Sequence, residues 1–152
     1  MQKRSVIITG PGFQDEEYVY PYYRLLEAGF SVEVVTKEGE IVYGKYGVPA
    51  RATKSTMDLD VNNFDLLVLP GGFEAPDRVR LIPEVLEFVR QMDAQKKLIA
   101  AICHGPWLLI EAKLIDGVTA TSYKSIRTDM ENAGARWRDE EVVFDRGIIT
   151  SR

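Results

Sequence analysis

Short apolar runs of strand length alternate along the chain with stretches of helical spacing. RSVIITG, near the start, is a β-branched run closed by Gly10-Pro11-Gly12, which predicts a central strand ending in a loop over Gly10 to Gln14. From Asp15 to Ala28 the spacing is helical, with Asp15, Glu16 and Glu17 at the positive end and Gly29 as terminator; Pro21 inside it predicts a kink. SVEVVT, Ser31 to Thr36, alternates as a second strand, and Ile41 to Ala50, broken by Gly44, Gly47 and Pro49, predicts a small hairpin at the sheet edge. Phe64 to Leu69 predicts a buried strand that runs into Pro70-Gly71-Gly72.

A helix is predicted from Pro83 to about Gln95, with Leu86, Val89 and Met92 on its apolar face. KKLIAAI then reads as a buried parallel strand and PWLLIEAK as a helix opening on Pro106, where a missing N–H costs nothing. GVTATS predicts a short strand, IRTDMENAG a helix closed by Gly134, and the final segment a strand pair about Asp145-Arg146-Gly147. This alternation predicts an α/β fold: a mainly parallel sheet sandwiched by helices, in one domain over residues 1–152.

Composition narrows the partners. Nineteen Lys and Arg against 23 Asp and Glu leave a formal charge of −4, and the positive residues are scattered singly, which argues against nucleic acid or an anionic membrane. No apolar run approaches the roughly 20 residues of a membrane helix, and MQKRSVIITG enters a strand directly, without the pattern of a signal peptide. One cysteine excludes an intrachain disulfide, and one Cys with one His cannot build an ordinary structural zinc site, so no metal and a reducing cytoplasm are expected.

The chemistry concentrates in AAICHGP. It holds Cys103, the sole cysteine, beside His104, the sole histidine, where a strand gives way to a helix. Neighbours on a strand or helix diverge, so only a turn lets the two share a site. A lone cysteine is commonly a small buried hydrophobe; its pairing with the sole histidine at such an elbow favours a nucleophile, with the following helix and His104 expected to favour its thiolate. Gly71-Gly72 permits backbone N–H groups to face a developing negative charge, although a plain tight turn explains two glycines equally.

With AAICHGP, the segments FQDEEYVYPYYRLLEAG, LVLPGGFEAPDRVR, TATSYKSIRTDMENAG and VFDRGIITSR resemble the PfpI-type intracellular cysteine peptidase family. That family lies in the superfamily of the parkinsonism-associated deglycase and shares the flavodoxin-like, class I glutamine amidotransferase-like fold. The resemblance covers nearly the whole chain. It implies Cys103 as nucleophile, His104 as base and later acid, and the N–H groups of Gly72 and His104 as oxyanion donors. A carboxylate from a neighbouring subunit completes the family's triad, which points to Asp77, or next to Glu74, and to a homo-oligomer of at least two chains; paired instead with Arg78 or Arg80, Asp77 is a surface residue. Tyr123 matches a tyrosine near the family's site.

Two departures stand out. Where the superfamily reads Phe-Glu-Asp this chain reads Phe13-Gln14-Asp15, so Gln14 is expected to stand where a protonated glutamate would donate to the sulfur. The sequence also stops at Arg152, where the family adds a helix, so part of the sheet is expected to stand uncovered. The resemblance implies a cysteine hydrolase acting on a peptide or amide substrate, with no cofactor. The alternatives are a glyoxalase or deglycase acting on methylglyoxal and its adducts, which Gln14 disfavours, and a non-enzymatic stress-response redox sensor or chaperone. Glutamine amidotransferase activity is disfavoured because no later histidine exists.

Overall fold

The wholly apolar runs form the middle of one sheet. A computed structural model describes residues 1–152. Its strands are β1 Arg4–Ile8, β2 Ser31–Thr36, β3 Val42–Tyr43, β4 Pro49–Ala50, β5 Lys54–Ser55, β6 Leu66–Leu69, β7 Leu98–Ile102, β8 Thr119–Ala120, β9 Arg136–Trp137, β10 Val142–Asp145 and β11 Ile148–Ser151. Its helices are α1 Asp15–Glu27, α2 Glu74–Val79, α3 Pro83–Ala94, α4 Trp107–Glu111 and α5 Arg127–Asn132. Seven strands lie in the order β10-β11-β7-β6-β1-β2-β5, all parallel to their neighbours except the antiparallel β10–β11 pair. The mainly parallel α/β sheet expected from the alternation is the one observed.

Alternation of side chains along the strands divides the core. Val6, Ile8, Leu67, Leu69 and Ile99 face α3, α4 and α5, and with Phe88, Met92, Leu109 and Met130 they belong to a cluster of 25 buried residues. Ile7, Val34, Leu66 and Val68 face the other way and pack with Phe13 and Tyr18 in a cluster of 9. On this thinner side an open apolar hollow of 330 Å³ remains, lined among others by Tyr20, Pro21, Leu25, Val68, Ala100 and Ile149. No helix is long and apolar enough to cross a membrane.

Local differences from the pattern have local causes. Phe64 caps a 3-10 turn over Val61–Asn63, its ring edge against Phe88 at 6.0 Å, so β6 starts only at Leu66. The Ile41–Ala50 hairpin forms, as β3 and β4, but outside the main sheet, whose edge is β5. Gly12 N–H donates to Tyr43 C=O at 2.9 Å, Lys45 N–H donates to Phe13 C=O at 2.8 Å, and the buried Asp15 carboxylate accepts from Tyr46 and Val48 N–H at 2.9 and 2.8 Å. These bonds fold the hairpin over the loop after β1. The six-residue α2, with Pro76 inside it, gave no periodic signal.

Loops after β1, β6 and β7 converge at the carboxyl ends of their strands, the side on which open α/β sheets place ligands. The approach between β6 and the chain after β7 leaves no room for a side chain: a Cβ on Gly105 would lie 2.3 Å from Leu69 C=O and 2.9 Å from Ile102 C=O. Both obstacles are backbone, so Gly105→Ala must displace the elbow from the sheet. Overpacking of this kind costs about 1–3 kcal/mol, and about 1 kcal/mol lowers the melting temperature of a domain this size by about 2–4 °C. We expect Gly105→Ala to melt several degrees below the parent; equal melting temperatures would refute this account of the elbow.

Candidate active site

β7 ends at Ile102, and Cys103 follows in the left-handed region with φ 64°. A non-glycine residue there costs of order 1–3 kcal/mol unless its surroundings hold it. They do: Cys103 N–H donates to Ser151 C=O at 3.0 Å and its C=O accepts from Tyr123 N–H at 2.9 Å. Gly105 N–H closes back on Ile102 C=O at 2.8 Å, and α4 begins two residues later. This is the strand-to-helix elbow anticipated at Cys103.

The turn brings the adjacent side chains together. His104 Nδ1 lies 3.2 Å from Cys103 Sγ, and Nε2 lies 3.3 Å from Ser125 Oγ. The imidazole stacks on Tyr123, centroids 5.2 Å apart at 27°, and meets Trp107 edge-on at 5.0 Å. Backbone N–H groups of Gly72 and His104 both point to the sulfur. A pocket of 550 Å³ opens above it, lined among others by Gln14, Glu17, Lys45, Phe73, His104 and Tyr123.

The carboxyl at the sulfur belongs to Glu17. In the first turn of α1 it accepts from Gly71 N–H at 2.8 Å through Oε1 and hydrogen-bonds Cys103. Gly71 sits between them, where an added Cβ would lie 2.4 Å from Glu17 Oε1 and 2.7 Å from Cys103 Cβ. The expectation for Gln14 is therefore corrected. Its amide lines the pocket but donates to Glu16 at 2.8 Å, while its backbone N–H binds Gly71 C=O at 3.1 Å. The sequence held a clue: residues three apart share a helix face, so a residue at 14 or at 17 can look into the same pocket. Helical spacing alone ties the run Asp15-Glu16-Glu17 to the helix dipole and does not say which of the three faces the pocket.

Within the chain, neither Asp77 nor Glu74 lines the pocket. Asp77 is exposed on α2, and Glu74 binds Arg78 at 3.1 Å, while Arg80 pairs with Glu111 at 3.1 Å. So Asp77 takes neither of the two arginines proposed for it. No group of three or more His, Cys, Asp and Glu is gathered closely enough to hold a metal ion.

Burial governs the titration of the site. It pushes the Glu17 carboxyl up to about 7, against hydrogen bonds from Cys103, Gly71 and Gly72 that pull it down. Burial, then the charge of Glu17, pushes Cys103 up to about 11, against the two backbone N–H groups. Burial lowers His104, opposed by Asp129, so the ring is neutral at pH 7 and supplies no cation to the sulfur. A thiolate held by His104 and the helix, as expected from the sequence, is thus corrected. Glu17 and Cys103 instead form a coupled pair that gives up one proton readily and a second with difficulty.

The sequence profile of the DJ-1/PfpI family matches residues 3–152. The chain belongs to the DJ-1/PfpI family. Deglycase PfpI of Pyrococcus furiosus is 44% identical over 149 residues, covering 98% of this chain and 89% of that protein. YraA of Bacillus subtilis, which its name assigns provisionally to the cysteine proteases, is 41% identical over 153 residues, covering 100% and 90%. A two-domain Anabaena variabilis protein, with DJ-1/ThiJ/PfpI-like and ferritin-like domains, superposes with a TM-score of 0.96 at 40% identity. That match covers 99% of this chain and 44% of the Anabaena protein.

The coupled pair has a kinetic signature. Alkylation of Cys103 by iodoacetamide should rise in one step toward pH 11, because Glu17, ionised above about pH 7, opposes the thiolate. Glu17→Gln removes the opposing charge while keeping a donor, so its midpoint should fall below the wild-type one. Equal midpoints in the two proteins would disprove the coupling.

Proposed function

We propose that this member of the family is a cysteine-dependent enzyme acting on methylglyoxal and its adducts. The observation that carries the reading is the Glu17 carboxyl, hydrogen-bonded to Cys103 and balanced near pH 7 between acid and base. General acid–base groups work best when their pKa lies near the working pH. Gln14 disfavours this reading because it offers no acid, and Glu17 supplies a carboxyl beside the sulfur instead.

In this mechanism the Cys103 thiol gives its proton to His104 Nδ1 as the sulfur adds to the aldehyde carbon; the N–H groups of Gly72 and His104 bind the alkoxide, which takes that proton to give the hemithioacetal. Where the aldehyde is held on an amine as a hemiaminal, sulfur replaces nitrogen and the amine leaves. Glu17 removes the proton from the former aldehyde carbon and returns one to the adjacent carbon, which turns the hemithioacetal into the thioester of a 2-hydroxy acid. Water then attacks the thioester, His104 Nδ1 takes its proton, and the acid and free thiol are released. Tyr123 and Lys45 stand at the pocket wall to meet the substrate.

Peptide or amide hydrolysis is the second reading, favoured by His104 Nδ1 at 3.2 Å from the sulfur. It uses the same oxyanion donors and needs no proton shuttle between carbons. In that reading Asp77 of a second subunit would orient His104, so activity would require a homo-oligomer.

Two substitutions separate the readings, with Cys103→Ala as the blank. Glu17→Gln should lower methylglyoxal turnover by about a hundred- to ten-thousand-fold, the usual worth of general acid–base catalysis. Gln14→Glu should leave it essentially unchanged. Methylglyoxal turnover that survives Glu17→Gln would overturn the proposal, and amide hydrolysis lost in His104→Ala but kept in Glu17→Gln would establish the second reading.

A further inference from the structure

We infer that Ser125 is a positioning residue that fixes the tautomer of His104 from within the chain. The inference rests on reading Cys103 and His104 as the reacting pair. For Nδ1, 3.2 Å from Sγ, to accept the thiol proton, it must carry a lone pair, and the ring proton must then sit on Nε2. Ser125 Oγ is 3.3 Å from Nε2 and makes no other hydrogen bond, so it is free to accept that N–H. After the thiol proton moves to Nδ1 the Nε2–H persists. One acceptor therefore serves the ring both before and after transfer.

No carboxylate of the chain competes for the role. Asp129, which pulls the imidazole pKa upward through space, has its Oδ2 engaged by Trp107 Nε1 at 3.0 Å. Ser125 is placed by the same backbone that places the nucleophile. It lies in the 3-10 turn Lys124–Ile126, whose Ile126 N–H binds Tyr123 C=O at 3.1 Å, and Tyr123 N–H binds Cys103 C=O at 2.9 Å. With Tyr123 stacked on the ring and Trp107 at its edge, the imidazole keeps one plane, and Oγ selects which nitrogen holds the proton. A neutral oxygen orients the ring without holding the imidazolium as a carboxylate does.

His104 is the only histidine, so one imidazole appears in a 15N spectrum of the whole protein. Above the imidazole pKa, Nε2 should be the protonated nitrogen and Nδ1 the bare one. Ser125→Ala should shift the tautomer ratio toward Nδ1–H by roughly three- to tenfold, the worth of an ordinary hydrogen bond. Ser125→Thr should keep the wild-type ratio, and its near-isostere Ser125→Val should match alanine. A wild-type ring protonated on Nδ1, or a ratio unchanged in both Ser125→Ala and Ser125→Val, overturns the inference. Because the spectrum needs no substrate, it decides the point even if methylglyoxal turnover fails; where turnover is measured, Ser125→Ala should lower kcat and leave KM in place.

Discussion

The site depends on how closely the chain after β7 passes the end of β6. Two glycines make that approach, Gly105 against Leu69 C=O and Gly71 between Glu17 and Cys103, and at neither is there space for one more carbon. The elbow holds Cys103 at φ 64° only because the flanking N–H and C=O groups are tied to Ser151 and Tyr123. A cysteine held in the left-handed region, an N–H pair aimed at its sulfur and a carboxyl beside it are thus consequences of one packing contact. Ser151 belongs to β11, so the last strand pair also helps to hold Cys103.

Around the sulfur, the carboxyl and the imidazole stand on different elements. Glu17 comes from α1 on the thinner face of the sheet, and His104 from the elbow itself. Burial raises the carboxyl and lowers the imidazole, and it therefore brings both toward the neutral form near pH 7. A low-dielectric pocket disfavours every isolated charge, so a proton that leaves the thiol is best received by a group already in contact. Glu17 and His104 are those contacts, which makes the sulfur the midpoint of a short proton path.

Much of this was legible in the sequence. The apolar runs ending at Ile8, Leu69 and Ile102 became the central strands because a parallel sheet buries both faces and leaves no alternation to misread. The Cys103-His104 elbow was legible because a sole cysteine and a sole histidine meet where a strand run stops. Glu17 was not, since helix periodicity does not say which of three consecutive acids turns inward; Asp15 is consumed by Tyr46 and Val48 N–H, and Glu16 points to solvent. The placement of the hairpin was hidden for a related reason. It is set by that buried carboxylate together with the Gly12–Tyr43 and Lys45–Phe13 backbone bonds, long-range contacts with no signature in the hairpin's own residues. Ser125 lies in a 3-10 turn too short for any periodic pattern.

The β3–β4 hairpin ties these features to the shape of the pocket. Asp15 fixes it with two backbone hydrogen bonds, and Lys45, at its tip, is carried to the pocket wall with its ammonium 5.4 Å from the Tyr46 ring and 6.0 Å from the Phe73 ring. A cation over aromatic faces keeps part of its charge satisfied without an acid partner. Asp15 and Glu17 start the same helix, one securing the wall and the other reaching the sulfur. Any shift of the first turn of α1 must therefore move the wall and the proton-carrying carboxyl together, which couples the shape of the pocket to the protonation of Cys103.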